Sequence, residues 1–315
     1  MKTSISETIK RIQEAKAVAI ICHENPDGDT LGAAKALQLA LGEKARIYCA
    51  QPTPDRYTFL EIGDMKSPIE VCDLVVYVDC SDRERTGDLM DKIPTDVTTI
   101  NIDHHGTNTK YADINVVDGK ISSTCEIIYP IIQSLSEITP AIATCLYTGM
   151  VTDTGMFSFG YTTSSAYRIA AELIDGGADF ESICQRLFRT RTVASTMLTK
   201  VMLDRLSLST NNRVAFSYLM IEDFEKHNAK VEEAERLVNM MIQMDSVEIA
   251  IFAKELEQGG FKLSLRSKGG VDVSKLAMAY GGGGHAQASG CRVEGNANQL
   301  EDKLLSTIAE LQILS

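Results

Sequence analysis

Carboxylates and imidazoles gather at four places in this 315-residue chain where a largely apolar run gives out. The densest is Asp103-His104-His105, which closes Thr98-Thr99-Ile100-Asn101-Ile102. His23-Glu24-Asn25-Pro26-Asp27-Gly28-Asp29 follows Ala17 to Cys22, and Asp79 follows Leu74 to Val78. Asp153 lies within Thr148-Gly149-Met150-Val151-Thr152-Asp153-Thr154-Gly155. Oxygen donors with a little imidazole suit Mn2+ or Mg2+ better than zinc, which favours thiolate or several imidazoles. Two such ions, about 3.5–4 Å apart, can activate water and stabilise the oxygen displaced during in-line attack on phosphorus. Each residue has a plainer use when taken alone: His23 as a capped or surface histidine, Asp27 with Gly28 as a turn, Asp29 as a helix cap. Six coincidences at strand ends and turns are less economical than one site.

Donors this far apart in sequence need elements that bring them together. Short runs rich in Val and Ile, bounded by turn or helix signals, read as strands buried on both faces. In an open parallel sheet the carboxyl ends of the strands share one edge, where ligands bind. Asp29 or Thr30 is placed to cap a helix over Leu31–Leu41 that stops at Gly42, and residues 45–50 read as the next strand of a right-handed crossover. Ser123-Thr124-Cys125-Glu126 has capping-box spacing, so a helix should start there and offer free backbone amides near the site. Helical patterns dominate from about 140 to 206, apart from a turn around Asp153. A second composition begins after Arg205. Residues 207–209 and 214–219 form a hairpin across Asn211-Asn212, and a helix over 231–244 precedes strands near 247–253 and 261–265. The expected fold is α/β: a largely parallel N-terminal sheet flanked by helices, a helical connection, and a smaller C-terminal α/β domain. The boundaries fall at 1–186, 187–204 and 205–315.

Composition narrows the partners. No apolar run approaches the roughly 20 residues of a membrane span, and the start is polar with mixed charge rather than a signal peptide, so a cytoplasmic protein away from membranes is expected. The eight cysteines lack zinc-ribbon or CxxC spacing. Cys22 and Cys80 neighbour His23 and Asp79, and strand alternation turns them toward the core as reduced thiols. With a net charge of −12 and no lysine or arginine stripe, the chain is a poor partner for long nucleic acid. A short phosphate ester is still compatible, because divalent cations offset its charge locally.

Four glycines in a row, Gly281-Gly282-Gly283-Gly284, precede His285 in the C-terminal part. Such a run weakens local structure and implies that something approaches the backbone closely. Exposed amides beside a histidine suit phosphate, and Arg266, after Lys262-Leu263-Ser264-Leu265, could clamp the same group in two places. The plainer alternative is a flexible loop and a solvated arginine.

In order, His23-x-x-x-Asp27-x-Asp29, Asp79, Asp103-His104-His105 and Asp153 resemble the four motifs of the DHH phosphoesterase superfamily. Arg266 and Gly281 to His285 look like its DHH-associated C-terminal domain, so the resemblance covers nearly the whole chain. Length and layout are similar to the nanoRNase and pAp phosphatase group and to stand-alone cyclic-dinucleotide phosphodiesterases. The resemblance implies a manganese-dependent hydrolase of phosphate esters, with magnesium the alternative ion and the site in a cleft between the domains. It assigns His23 and Asp27 to one ion and Asp29, His104 and Asp153 to the other, with Asp79 bridging. Asp103 then orients the histidines, and His105 meets the substrate phosphate or protonates the leaving group. Arg266, Gly282, Gly283, Gly284 and His285 would bind substrate. Short oligoribonucleotides, with pAp, are the expected substrates, and cyclic di-AMP or pApA the alternative. A homodimer is compatible with the layout. A RecJ-like exonuclease is disfavoured by the acidic charge, and a non-catalytic nucleotide sensor by the intact ligand set. Family-II pyrophosphatases would lack the glycine-histidine loop.

Overall fold

A computed structural model describes residues 2–65, 68–69 and 71–314; the side chains of Lys2, Thr3, His285 and Asn298 lie outside the described residues. The chain divides into two compact units, Met1–Thr190 and Arg191–Ser315.

In the first unit, α1 (Lys2–Glu14) leads into β1 (Val18–Ile21), α2 (Gly28–Leu41) and β2 (Ala45–Tyr48). β3 (Leu74–Val78), β4 (Thr98–Asp103) and β5 (Ile114–Val117) follow. α3 (Thr124–Leu135), α4 (Pro140–Asp153), α5 (Ser164–Asp175) and the short α6 (Phe180–Cys184) complete it. The five strands are all parallel, in the order β2-β1-β3-β4-β5. Every residue of β1 and β3 is buried. Alternation explains why both faces are apolar. Ile20, Val76, Ile100 and Ile102 join the large core, while Ala19, Ile21, Val75 and Tyr77 join a smaller one. Cys22 belongs to the first core and Cys80 to the second, and all eight cysteines are free.

Strand order reverses between β1 and β3, because the chain adds β2 on one side of β1 and then crosses back to β3. At such a switch point the connections leave in opposite directions and open a crevice beyond the carboxyl ends. His23 lies just beyond β1 and Asp79 directly follows β3.

One local expectation changes. The cap of α2 is Asp27, whose Oδ1 accepts from the amides of Asp29 and Thr30 at 3.1 Å each, so the helix begins at Gly28 and Asp29 is left to point elsewhere. Asp153 ends α4 and opens the turn expected around it. Residues Cys145 to Val151 of α4 are buried on all sides. Pro140 starts α4 behind a Thr139 cap, and the helix stops where Gly155, Met156 and Phe157 turn left-handed.

The second unit opens with α7 (Val193–Asp204), whose Leu198 and Met202 pack into that unit's core. β6 (Ser207–Ser209) and β7 (Val214–Leu219) form the expected hairpin, with Thr210, Asn211 and Asn212 at φ 55°, 57° and 65°. After α8 (Ile221–Lys226), the helix expected over 231–244 is broken into a 3-10 turn, Val231–Ala234, and α9 (Leu237–Ile242). β8 (Ile249–Glu255), β9 (Phe261–Ser267), α10 (Ser274–Ala279), β10 (Gly283–His285), β11 (Ala288–Val293) and α11 (Ala297–Glu310) follow. The six-stranded sheet runs β10-β11-β9-β8-β7-β6 and is mixed, only β7 and β8 pairing in parallel. No described helix is long and apolar enough to cross a membrane.

Candidate active site

Asp79 stands at the centre. It leaves β3 at φ 59°, a left-handed conformation that aspartate tolerates better than most residues, and its amide donates to the Ile102 carbonyl at 2.9 Å. The carboxylate is 2% exposed, and its two oxygens face different ways. Oδ2 accepts from the Thr30 hydroxyl at 2.6 Å and lies 3.5 Å from His23 Nε2. Oδ1 accepts from the Thr124 hydroxyl at 2.9 Å and lies 3.7 Å from His104 Nε2 and 3.6 Å from His105 Nδ1.

Three groups with metal-ligand geometry surround it: His23, Asp27 and Asp79; Asp29, His104 and Asp153; and Asp79, His104 and His105. His104 Nε2 is 3.2 Å from Asp153 Oδ2 and 4.0 Å from Asp29 Oδ2, and His23 Nε2 is 4.0 Å from Asp27 Oδ1. Neighbouring ligands of an octahedral cation with bonds near 2.1 Å lie about 3 Å apart, and opposite ones about 4 Å. The donors therefore stand at the spacing a shared cation imposes. Both ring nitrogens of His23 and Oδ2 of Asp153 are buried without a hydrogen-bond partner. Buried polar atoms left unpaired are costly unless something else satisfies them, and a divalent cation fits this donor set.

Electrostatics point the same way. Burial, then the charge of Asp79, pushes Asp29 up to about 7, and burial with four neighbouring aspartates raises Asp153 well above the usual carboxylate range. Burial would raise Asp79 as well, but the three imidazoles around it hold it below that range. Burial disfavours charge on His105, yet the Asp103 and Asp79 carboxylates outweigh it and lift the ring to about 8.

The surrounding contacts fix orientation. Asp103, fully buried at the end of β4, takes His105 Nδ1 at 2.7 Å on one oxygen and the Asn108 amide at 2.6 Å on the other. His104 is positioned separately, its Nδ1 3.3 Å from the Ile121 carbonyl. The amides expected to be free at the start of α3 are already used: Thr124 and Cys125 donate to Asp29 at 2.6 and 3.0 Å. Glu126 reaches back to the Ser122 amide rather than to that of the cap, Ser123. The contacts of Thr30, Thr124 and Asn108 with the site carboxylates escaped the sequence reading because a lone hydroxyl or amide carries no chemical signature. The one available signal was Thr124's place inside the capping motif.

Six of the predicted residues, His23, Asp27, Asp29, Asp79, His104 and Asp153, thus converge at one edge of the first unit, with His105 and Asp103 beside them. Arg266 and the glycines belong to the second unit. Arg266 is partly buried on β9, its Nε donating to Asn239 Oδ1 at 3.2 Å and NH1 to the Leu265 carbonyl at 2.9 Å; desolvation lowers its pKa. Two of the glycines answer to the protein's own backbone. A Cβ on Gly282 would lie 2.2 Å from the Gly290 carbonyl oxygen, and one on Gly284, at φ 137°, 2.6 Å from that of Ala288. Gly283 has open space instead. The side chain of His285 lies outside the described residues.

A parallel sheet with acid and imidazole at its switch point, followed by a second unit with a mixed sheet, defines a class. Residues 17–150 match the DHH family, N-terminal domain, and residues 211–312 match the DHHA1 domain. The chain belongs to the DHH family of phosphoesterases. Among its relatives, the bifunctional oligoribonuclease and PAP phosphatase NrnA of Thermus thermophilus is 30% identical, over 97% of this chain and 93% of its own length. The protein of that name from Bacillus subtilis is 28% identical, over 93% of each. The crystal structure of an exopolyphosphatase-related protein from Bacteroides fragilis shares the fold, with a TM-score of 0.90 at 24% identity over 99% of this chain and 98% of that one.

Proposed function

We propose that this protein is a two-metal phosphoesterase, with manganese as its ion, that hydrolyses short oligoribonucleotides to mononucleotides and pAp to AMP and phosphate. The names of the relatives support the substrate class. The observation that carries the chemistry is Asp79, whose two oxygens face separate imidazole-carboxylate groups. In this reading His23 and Asp27 hold one cation, Asp29, His104 and Asp153 hold the other, and Asp79 is shared. Such ions, when bound, polarise the phosphoryl group and make water nucleophilic at neutral pH.

The chain's own groups do the rest. Thr30 and Thr124 donate to the shared carboxylate and keep each oxygen turned to its own side. The water oxygen bonds to phosphorus, the bond to the leaving oxygen breaks, and that oxygen takes a proton. Asp103 occupies Nδ1 of His105, so the ring's Nε2 is the atom available to deliver it. Arg266 and the amides around Gly283 bind a substrate phosphate, a role we extend to His285 from the sequence.

Purified protein with Mn2+ should release mononucleotides from di- to pentaribonucleotides, and phosphate from pAp. A panel that also contains pApA, cyclic di-AMP and pyrophosphate ranks the substrates. If the RNAs and pAp stay intact while the metal is demonstrably bound, the reading is wrong.

A further inference from the structure

Beyond Asp153 the chain builds something that metal binding does not call for. Gly155, Met156 and Phe157 adopt successive left-handed conformations at φ 56°, 59° and 60°. Two of these three are not glycine, and backbone held in this region persists only where its surroundings enforce it, often at functional sites. The turn divides the aromatic residues that follow. Phe157 turns inward, its ring centroid 6.1 Å from that of Tyr147 and 5.2 Å from that of Tyr167, whose hydroxyl donates to the Phe157 carbonyl at 2.7 Å.

Phe159 and Tyr161 turn outward. Their ring centroids are 5.6 Å apart, and the residues are 48% and 56% exposed. Neither ring swings freely. Phe159 rests on Gly155, where a Cβ would come within 2.5 Å of the phenyl ring. Tyr161 donates its hydroxyl at 2.8 Å to the carbonyl of Asp153, the residue whose carboxylate faces His104. The phenol is close enough to that cluster for burial and the charges of Asp153 and Asp29 to push its pKa up to about 12.

We propose that Phe159 and Tyr161 form a stacking platform for a nucleobase of the substrate, beside the acid-histidine cluster. The inference rests on the proposed function and adds to it a subsite that recognises the base rather than the phosphate. Aromatic rings bind bases of any sequence through their π-faces, and rings already immobilised lose little entropy on stacking. Met156 and Tyr167 are also exposed on this stretch, but even four side chains fall short of the about 800 Å² per partner that a stable dimer contact buries. A flat aromatic guest beside a phosphate-directed site fits the area and the chemistry.

Two measurements test the platform. Phe159→Ala should raise KM for a short RNA about 5- to 100-fold, with a smaller change in kcat, and should reduce by a similar factor the preference for that RNA over an abasic oligomer of equal length. Phe159→Trp should retain that preference. Because the chain contains no tryptophan, this variant also carries a single reporter. In the presence of Mn2+, AMP should quench its emission and ribose 5-phosphate should not. Unchanged base preference in Phe159→Ala, with wild-type protein active on RNA, overturns the platform and leaves the proposed function intact. The reporter needs no turnover, so AMP quenching supports stacking even in a protein that cleaves no RNA. Absent or equal quenching by the two probes, or quenching that follows self-association instead of ligand, overturns it.

Discussion

At the scale of single residues, Asp79 is the side chain on which both halves of the site depend. Asp79→Ala should lower turnover on the order of 10³-fold or more and abolish stoichiometric Mn2+ binding, since both groups lose a donor. Arg266→Ala removes at most a charge-assisted hydrogen bond to phosphate and should act mainly on KM, by roughly 10- to 100-fold. Steady-state kinetics with a metal titration separates them, and an Asp79→Ala protein that keeps both ions would contradict the shared-ligand assignment. Asp103 acts through His105. Asp103→Asn keeps the shape but exchanges a carboxylate for a neutral amide beside Nδ1, so the ring loses the charge that raises it to about 8. The expected result is a lower alkaline limb in the pH profile of kcat with metal stoichiometry unchanged; an unmoved limb would remove His105 from proton delivery.

At the scale of elements, the site depends on how closely α2 lies against α4. Gly28 and Gly32 on α2 and Gly149 on α4 have no room for a side chain: a Cβ on Gly32 would sit 2.4 Å from the Cys145 carbonyl oxygen, and one on Gly149 2.8 Å from Asp29 Oδ1. Asp29 and Asp153 therefore approach the same histidine only because these helices pack almost backbone to backbone. Gly32→Val should cost about 1–3 kcal/mol of stability and weaken Mn2+ binding, because a backbone carbonyl cannot step aside as a flexible side chain can. Urea unfolding with isothermal titration reads both quantities. Loss of stability with unaltered metal affinity would show that the helix spacing does not set the site.

At the scale of the whole molecule, the concentration of acid makes stability depend on pH and on metal together. In metal-free protein, folded Asp29 holds its proton up to about 7, whereas the ordinary carboxyl releases it near 3.8. The folded state thus binds more protons than the unfolded state across that window, and its stability falls as pH rises through it. His105 adds to the trend between 6.5 and about 8. Asp79, held low, contributes in the opposite sense, but only toward acid pH. The Tm of chelator-treated protein should therefore fall from pH 5 to pH 8, and added Mn2+ should raise Tm more at pH 8 than at pH 5, since ligands must be ionised to bind. Scanning calorimetry across that range decides it; a metal-induced rise independent of pH would mean that these carboxyls are not the ligands.

Much of this was legible in the sequence because it is carried by local pattern. Continuous burial along residues 18–21 and 74–78 needs only a short run of apolar, largely β-branched side chains, and the Asn211-Asn212 hairpin needs only residues that accept positive φ. The types of donor were equally plain, since few residues other than aspartate and histidine offer both charge and a lone pair. What tertiary structure decided is direction and distance. Asp27 rather than Asp29 caps α2, because the Asp29 carboxylate is taken by two amides of α3, about a hundred residues later in the chain. Asp153 reaches the site from the end of α4, a helix the sequence pattern showed without showing which cluster its last carboxylate would join. The two oxygens of Asp79 are held to their separate sides by Thr30 and Thr124, and contacts between elements so distant in sequence leave no trace in local spacing.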